Sequence, residues 1–284
     1  MKTGEIIDTH VHVWNFEKAS YQWLQGDTSI LNRTYHLEEI AEAQKEAGVT
    51  GSVLVQSANN FEDTDWMLEV AERVPSVVGV VGWLPLLQPD ETEKALTGKY
   101  LQNRYFKGMR HLIHDEADPQ WLLQEPVLES LTILASHGLP CDVVGVLPQH
   151  IETVLSVAQK IPSLQMVFDH LNHPPIVRGE KFGRWGELIT EAASLPNFFA
   201  KISGLGTVVK KEEWGADDIK PYVAFALEKF GTDRCFCGGD WPVSLLAGSY
   251  TETWRIYKNL LQSLLTGDEC EKVLAGNAKK FYSL

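Results

Sequence analysis

The chain has 284 residues, a formal net charge of −13 and 44% hydrophobic residues. That length and apolar fraction can fill one large core, so a single domain over residues 1–284 is expected. Acidic residues spread along the chain, with no acidic tail, argue against nucleic acid or an anionic membrane as a partner, although a local pocket can oppose the global charge. No apolar run is long enough to span a bilayer and no signal segment leads the first one, which predicts a soluble, cytoplasmic protein. The charge balance is compatible with a monomer or a homo-oligomer. Cys141, Cys235, Cys237 and Cys270 lie in or beside apolar stretches and read as reduced core thiols. The Cys235-x-Cys237 spacing lacks the two-residue gap of a zinc ribbon.

The first element is an apolar run, Ile6 to His12, which carries Asp8, His10 and His12 at alternate positions. On a strand these three side chains share one face. Short runs rich in β-branched residues follow at 51–56, 77–83, 106–110, 139–144, 164–170, 198–203 and 234–240, and they read as seven further buried strands. Between them lie stretches with helical spacing. The first holds Leu37, Ile40, Ala41, Gln44 and Ala47 before a C-capping Gly48, and others cover about 62–74, 90–102, 122–137, 147–160, 180–194, 216–230 and 251–265. Eight strands alternating with eight helices predict a (β/α)₈ barrel. An open doubly wound sheet is disfavoured because no Gly-rich phosphate loop follows the first strand.

In such a barrel, long loops after the strands cover the C-terminal mouth. The Trp14–Asn32 segment, with Tyr21, Trp23 and Leu24, is one; His173–Arg184 and Gly204–Trp214 are others. Strand eight neighbours strand one on closure, so Asp240 belongs beside His10 and His12, with His170 at the end of strand six. Two imidazoles from one rigid strand suit a divalent metal. The alternative for the two histidines is a pair tied into buried hydrogen bonds, and for Asp240 a cap or turn former before Trp241-Pro242.

Several motifs together resemble the amidohydrolase superfamily, and within it the sugar-acid lactonases and the 2-pyrone-4,6-dicarboxylate lactonase. They are Asp8-Thr9-His10-Val11-His12-Val13-Trp14, Tyr21-x-Trp23-Leu24, Phe168-Asp169-His170, Gly238-Gly239-Asp240-Trp241-Pro242 and Gly276-Asn277-Ala278. The resemblance runs nearly end to end. It implies a distorted barrel that hydrolyses esters, amides or lactones, with Asp240 as the base that activates water and His10, His12 and His170 as catalytic partners. His170 would polarise the carbonyl or bind metal.

The binuclear members of that superfamily carry a bridging Lys or Glu on strand four and a His on strand five. Here those places read Lys107-Gly108-Met109-Arg110-His111 and Asp142-Val143-Val144-Gly145, which argues against a binuclear site. One divalent ion, zinc above others, held by His10, His12, His170 and Asp240 is compatible with the residues. So is metal-free hydrolysis, because a reactive lactone needs less activation than an amide.

Arg110 at the mouth suits a carboxylate or the lactone oxygen, or a salt bridge to a loop acid. His111 alternates away from it as a supporting contact. Trp14, Trp83 and Trp241 lie at strand ends, where a flat face could stack on a sugar ring, and Gln56 could bond a hydroxyl. Lys201, inside an apolar strand, is expected to point into the barrel and pair with an acid. The function expected is hydrolysis of an aldonolactone such as a fucono- or rhamnonolactone. Alternatives are a mononuclear metal-dependent hydrolase or decarboxylase, and a non-catalytic sugar-acid binding protein, which would need no aligned base.

Overall fold

The computed structural model describes residues 4–178, 181–211 and 213–284. Eight strands form one parallel sheet in sequence order: β1 (Ile7–Val11), β2 (Gly51–Val55), β3 (Val77–Gly82), β4 (Phe106–His111), β5 (Cys141–Val143), β6 (Met166–Phe168), β7 (Phe198–Ile202) and β8 (Cys235–Cys237). Just past β8 the chain returns to β1. Asp240 N–H donates to His10 O and His12 N–H to Trp241 O, each at 2.7 Å. The result is a nearly closed (β/α)₈ barrel.

The helices, in chain order, are α1 (Ala41–Ala47), α2 (Phe61–Arg73), α3 (Pro89–Gly98), α4 (Glu125–Ser136), α5 (Pro148–Lys160), α6 (Gly183–Ser194), α7 (Leu205–Val209), α8 (Ala216–Phe230), α9 (Tyr250–Leu264), α10 (Gly267–Glu271) and α11 (Asn277–Tyr282). Local signals set their ends. The Asn60 side chain accepts the Asp63 amide at the start of α2, Pro148 opens α5, and Gly48 ends α1 with φ 80°. Among the described residues no helix is long and apolar enough to cross a membrane. The four cysteines are unpaired and buried.

The barrel interior is layered. At its floor Ile7, Val53, Val55, Val81, Val167 and Phe236 pack against Ala278, Phe281 and Tyr282 of α11, so the C-terminal helix plugs the bottom. Above them lies a buried polar layer of His10, Arg110, Asp142, Asp169 and Lys201. Strands six and eight stop earlier than their apolar runs suggest, at Phe168 and Cys237, and the residues beyond them turn across the mouth.

The first strand departs from simple alternation. Its pairing with β2 shifts register between Asp8 and Val11, and a shift of one residue exchanges the faces on which side chains emerge. Ile7 therefore packs in the floor, while Asp8 turns towards α9. Its carboxylate accepts from Tyr250 Oη (2.8 Å), Trp254 Nε1 (3.3 Å) and the amides of Gly239 (2.7 Å) and His10 (3.0 Å). Asp8 thus seals β1 to the end of β8 and does not share a face with the histidines.

Candidate active site

The mouth of the barrel holds a cavity of about 230 Å³ lined by His12, Arg110, His170 and Asp240, with Trp23, Ser57, Leu112, His114, Asp115, Val144, Val146, His173, Thr207 and Val243. A wider groove of about 720 Å³ shares Trp23, Leu112 and Asp115 with it and leads outward between the first loop and the loops after β2 and β4.

Asp240 is the hub. Its Oδ1 lies 3.4 Å from His12 Nε2, 3.8 Å from His10 Nε2 and 3.9 Å from His170 Nε2. Its backbone has φ 60°, a left-handed conformation that costs a non-glycine residue about 1 kcal/mol. Its amide bond to His10 O and the Ser244 amide donating to its own carbonyl (2.7 Å) hold it there. Burial by itself raises the Asp240 carboxyl, but the facing His170, His12 and His10 outweigh it and hold the group well below the usual carboxylate range. The residue is a carboxylate at neutral pH.

Each imidazole is oriented by a partner behind it. His12 Nδ1 lies 2.7 Å from Val55 O, and a carbonyl only accepts, so Nδ1 carries a proton and the ring presents Nε2 to Asp240. His170 Nδ1 lies 2.9 Å from Ser203 Oγ, which also accepts the His170 amide at 3.2 Å. The hydroxyl proton then suits Nδ1, which leaves the His170 proton on Nε2, towards Asp240. Burial pulls the His170 pKa down, with Asp240 opposing, and the ring is neutral at pH 7.

His170 opens four consecutive left-handed residues, His170, Leu171, Asn172 and His173, with φ between 50° and 55°. Such a run is held only by its surroundings. Trp185 Nε1 donates to Leu171 O (2.8 Å), and Asn172 Oδ1 accepts the Gly145 amide (2.7 Å). The turn swings His173, the first residue of that loop, back to the cavity wall. Burial lowers its pKa to about 3.

Arg110 reaches the cavity from β4. Its Nη1 lies 2.9 Å from Asp169 Oδ2 and 3.2 Å from His10 Nε2, Nη2 donates to Gln56 O, and Nε is buried without a partner. Lys201 does point inward, between Asp142 and Asp169. Burial pushes the Asp142 carboxyl up to about 6 against the pull of Lys201. Asp169 is driven the other way: burial is outweighed by Lys201, His10 and Arg110, and its carboxyl falls well below the usual range.

Four residues expected at the substrate, and His111 expected to support it, are not on the cavity wall. Trp14 is fully buried, donates from Nε1 to Arg33 O (2.5 Å) and meets Trp23 and Tyr35 edge to face. Trp241 is equally buried against Tyr35. Trp83 donates from Nε1 to His111 Nδ1 (3.1 Å), while His111 stacks on Trp121 and faces Glu116 (2.7 Å), so both lie on the far side of β4 from Arg110. Gln56 acts from behind, its Nε2 donating to Arg110 O (3.1 Å). The aromatic wall is instead Trp23, clamped by its Nε1 bond to Ser57 O (2.7 Å). Its position in the long first loop was the available signal. Nothing in the sequence near His114 or Thr207 marks them as lining residues.

His10, His12 and Asp240 each offer a ligand atom, and these atoms lie within 4.8 Å of one another. His170 is outside that set. His12 Nε2, set 3.4 Å from the Asp240 carboxylate by the Nδ1 bond to Val55 O, fits a single divalent ion in donor type and orientation. Arg110 Nη1 competes with it for His10 Nε2.

Residues 7–284 match the profile of the family described as Amidohydrolase. An L-fucono-1,5-lactonase of Burkholderia ambifaria is 32% identical over 285 residues, covering 98% of this chain and 95% of that protein. The L-fucono-1,5-lactonase of Burkholderia multivorans is 28% identical, covering 98% and 96%. A crystal structure of an amidohydrolase from Burkholderia multivorans with bound zinc superposes with a TM-score of 0.89 at 28% identity, covering 98% of this chain and 99% of that one. The chain belongs to the amidohydrolase family.

Proposed function

We propose that this protein hydrolyses a sugar-acid lactone, an aldonolactone of the fucono or rhamnono type. The observation that carries the reading is Asp240, an ionised carboxylate ringed by three imidazoles at the wall of a cavity of about 230 Å³. The similarity to L-fucono-1,5-lactonases at nearly full length supports the substrate class.

In this reading a water beside Asp240 gives its proton to the carboxylate as its oxygen attacks the lactone carbonyl carbon. The carbonyl π pair moves to oxygen, where Arg110 and the Nε2–H of His170 stabilise the developing charge. As the tetrahedral intermediate collapses, the ring C–O bond breaks and the leaving alkoxide takes the proton back from Asp240. His12, anchored on Val55 O, and His10, between Arg110 and Lys201, keep the carboxylate oriented. A divalent ion bound by His10, His12 and Asp240 would supply Lewis-acid activation.

The test is proton release, followed with a pH indicator, on a panel of γ- and δ-aldonolactones, for wild type and Asp240→Asn, before and after chelator. Wild type is expected to turn over at least one lactone, and Asp240→Asn to lose on the order of 10²–10⁴-fold in kcat. No turnover of any lactone sinks the reading. Activity lost to chelator and restored by one divalent ion assigns His10 and His12 as ligands. Activity that survives assigns them as hydrogen-bonding groups.

A further inference from the structure

Below the mouth, the barrel interior contains a second convergence of ligand-type atoms. His10, Asp142 and Asp169 each offer one, all within 4.8 Å of one another and all fully buried. The point on which they converge is filled by the chain itself. Lys201 Nζ lies 2.6 Å from Asp142 Oδ2, 2.7 Å from Asp169 Oδ1 and 3.2 Å from His10 Nδ1. The ammonium donates to Asp142, forms an ion pair with Asp169 and lies beside the His10 ring. The site is closed from beneath by the rings of Phe236 and Tyr282, 6.0 and 5.7 Å from Nζ, and the Tyr282 hydroxyl donates to Asp142 at 2.8 Å.

We propose that the Lys201 ammonium is a built-in cation occupying a latent divalent-metal site formed by His10, Asp142 and Asp169. Two carboxylates buried without solvent need positive charge close by, because an uncompensated charge in a low-dielectric interior is costly. Arg110 meets Asp169 from the mouth side, and among the described residues Lys201 alone bridges both acids. Its loss leaves one imidazole and two carboxyl groups facing a single point, which is a donor set suited to zinc or cobalt.

The space is adequate too. Metal–ligand bonds of about 2.0–2.2 Å are shorter than the ammonium contacts, so the three ligands close in by about 0.5–1 Å on an ion bound there, and truncation to alanine leaves room for a water to complete its coordination. This site is distinct from the mouth set. It draws on the Nδ1 side of His10, whereas Nε2 faces Asp240.

The experiment compares wild type, Lys201→Ala and Lys201→Ala/Asp169→Asn after equilibration with Co²⁺ and desalting, by metal content, visible absorption and thermal melting. Lys201→Ala is expected to hold about one more Co²⁺ per chain than wild type, with ligand-field bands and a melting midpoint that rises with the ion. The double variant should return to the wild-type count, because Asp169 belongs to this set and not to the one at the mouth. If Lys201→Ala is unfolded without metal, Co²⁺ added during refolding should restore the fold. A Lys201→Ala protein that takes up no more Co²⁺ than wild type, folded or unfolded, overturns the proposal. So does extra uptake that persists in the double variant.

Discussion

Gly204 is the position where backbone geometry and chemistry meet most closely. It follows β7 with φ 59°, and an ideal Cβ there would lie 2.4 Å from His170 Nδ1 and 2.7 Å from Asp240 Oδ2. Ordinary contact needs about 3.5 Å, so Gly204→Ala requires the His170 ring to retreat by about 1 Å. The ring cannot slide freely, because Nδ1 is held at 2.9 Å by Ser203 Oγ on the adjacent residue. A misplacement of this size costs on the order of 10²-fold in turnover. The positive φ adds about 1 kcal/mol of lost stability.

Gly231→Ala separates the two effects, since its φ is 72° but nothing lies within 4 Å of the added carbon. Both variants are assayed for lactone hydrolysis and for thermal melting. Each should lose at least about 1 kcal/mol of stability, and only Gly204→Ala should lose the 10²-fold in kcat. If Gly204→Ala turns over lactone as fast as Gly231→Ala, the close approach does not set the catalytic geometry.

Two other expectations follow from the same site. The depressed Asp240 carboxyl stays ionised in mild acid, so kcat should show no loss centred near the ordinary carboxylate value. Depressed Asp240 and Asp169 contribute stability that is present above their unfolded value of about 4 and lost as pH falls through their folded values. Acid should therefore end activity together with the circular dichroism signal, and a rate that titrates near pH 4 with the fold intact would contradict the assignment. Trp23→Ala removes the aromatic wall and should raise KM about tenfold with little change in kcat, consistent with about 1.4 kcal/mol of lost apolar contact. An unchanged KM would place the substrate away from Trp23.

Much of this was written in the chain. Buried parallel strands are continuous apolar runs, and their alternation with amphipathic stretches has few solutions, so the barrel and the grouping of Asp240 with His10, His12 and His170 followed from order along the sequence. Side-chain direction did not. The register shift in β1 turned Asp8 towards α9, and the early end of β6 let four left-handed residues carry His173 to the cavity. Trp14 and Trp241 sit at strand ends as expected, yet which way a large ring faces depends on the neighbours it packs against, here Tyr35. The floor sealed by Phe281 and Tyr282, and the seat of Lys201 between two acids, arise from contacts between residues far apart in sequence. Local pattern determines which segments form elements and which faces are apolar. Only the closed barrel decides which polar groups share one desolvated space, and there their charges must balance.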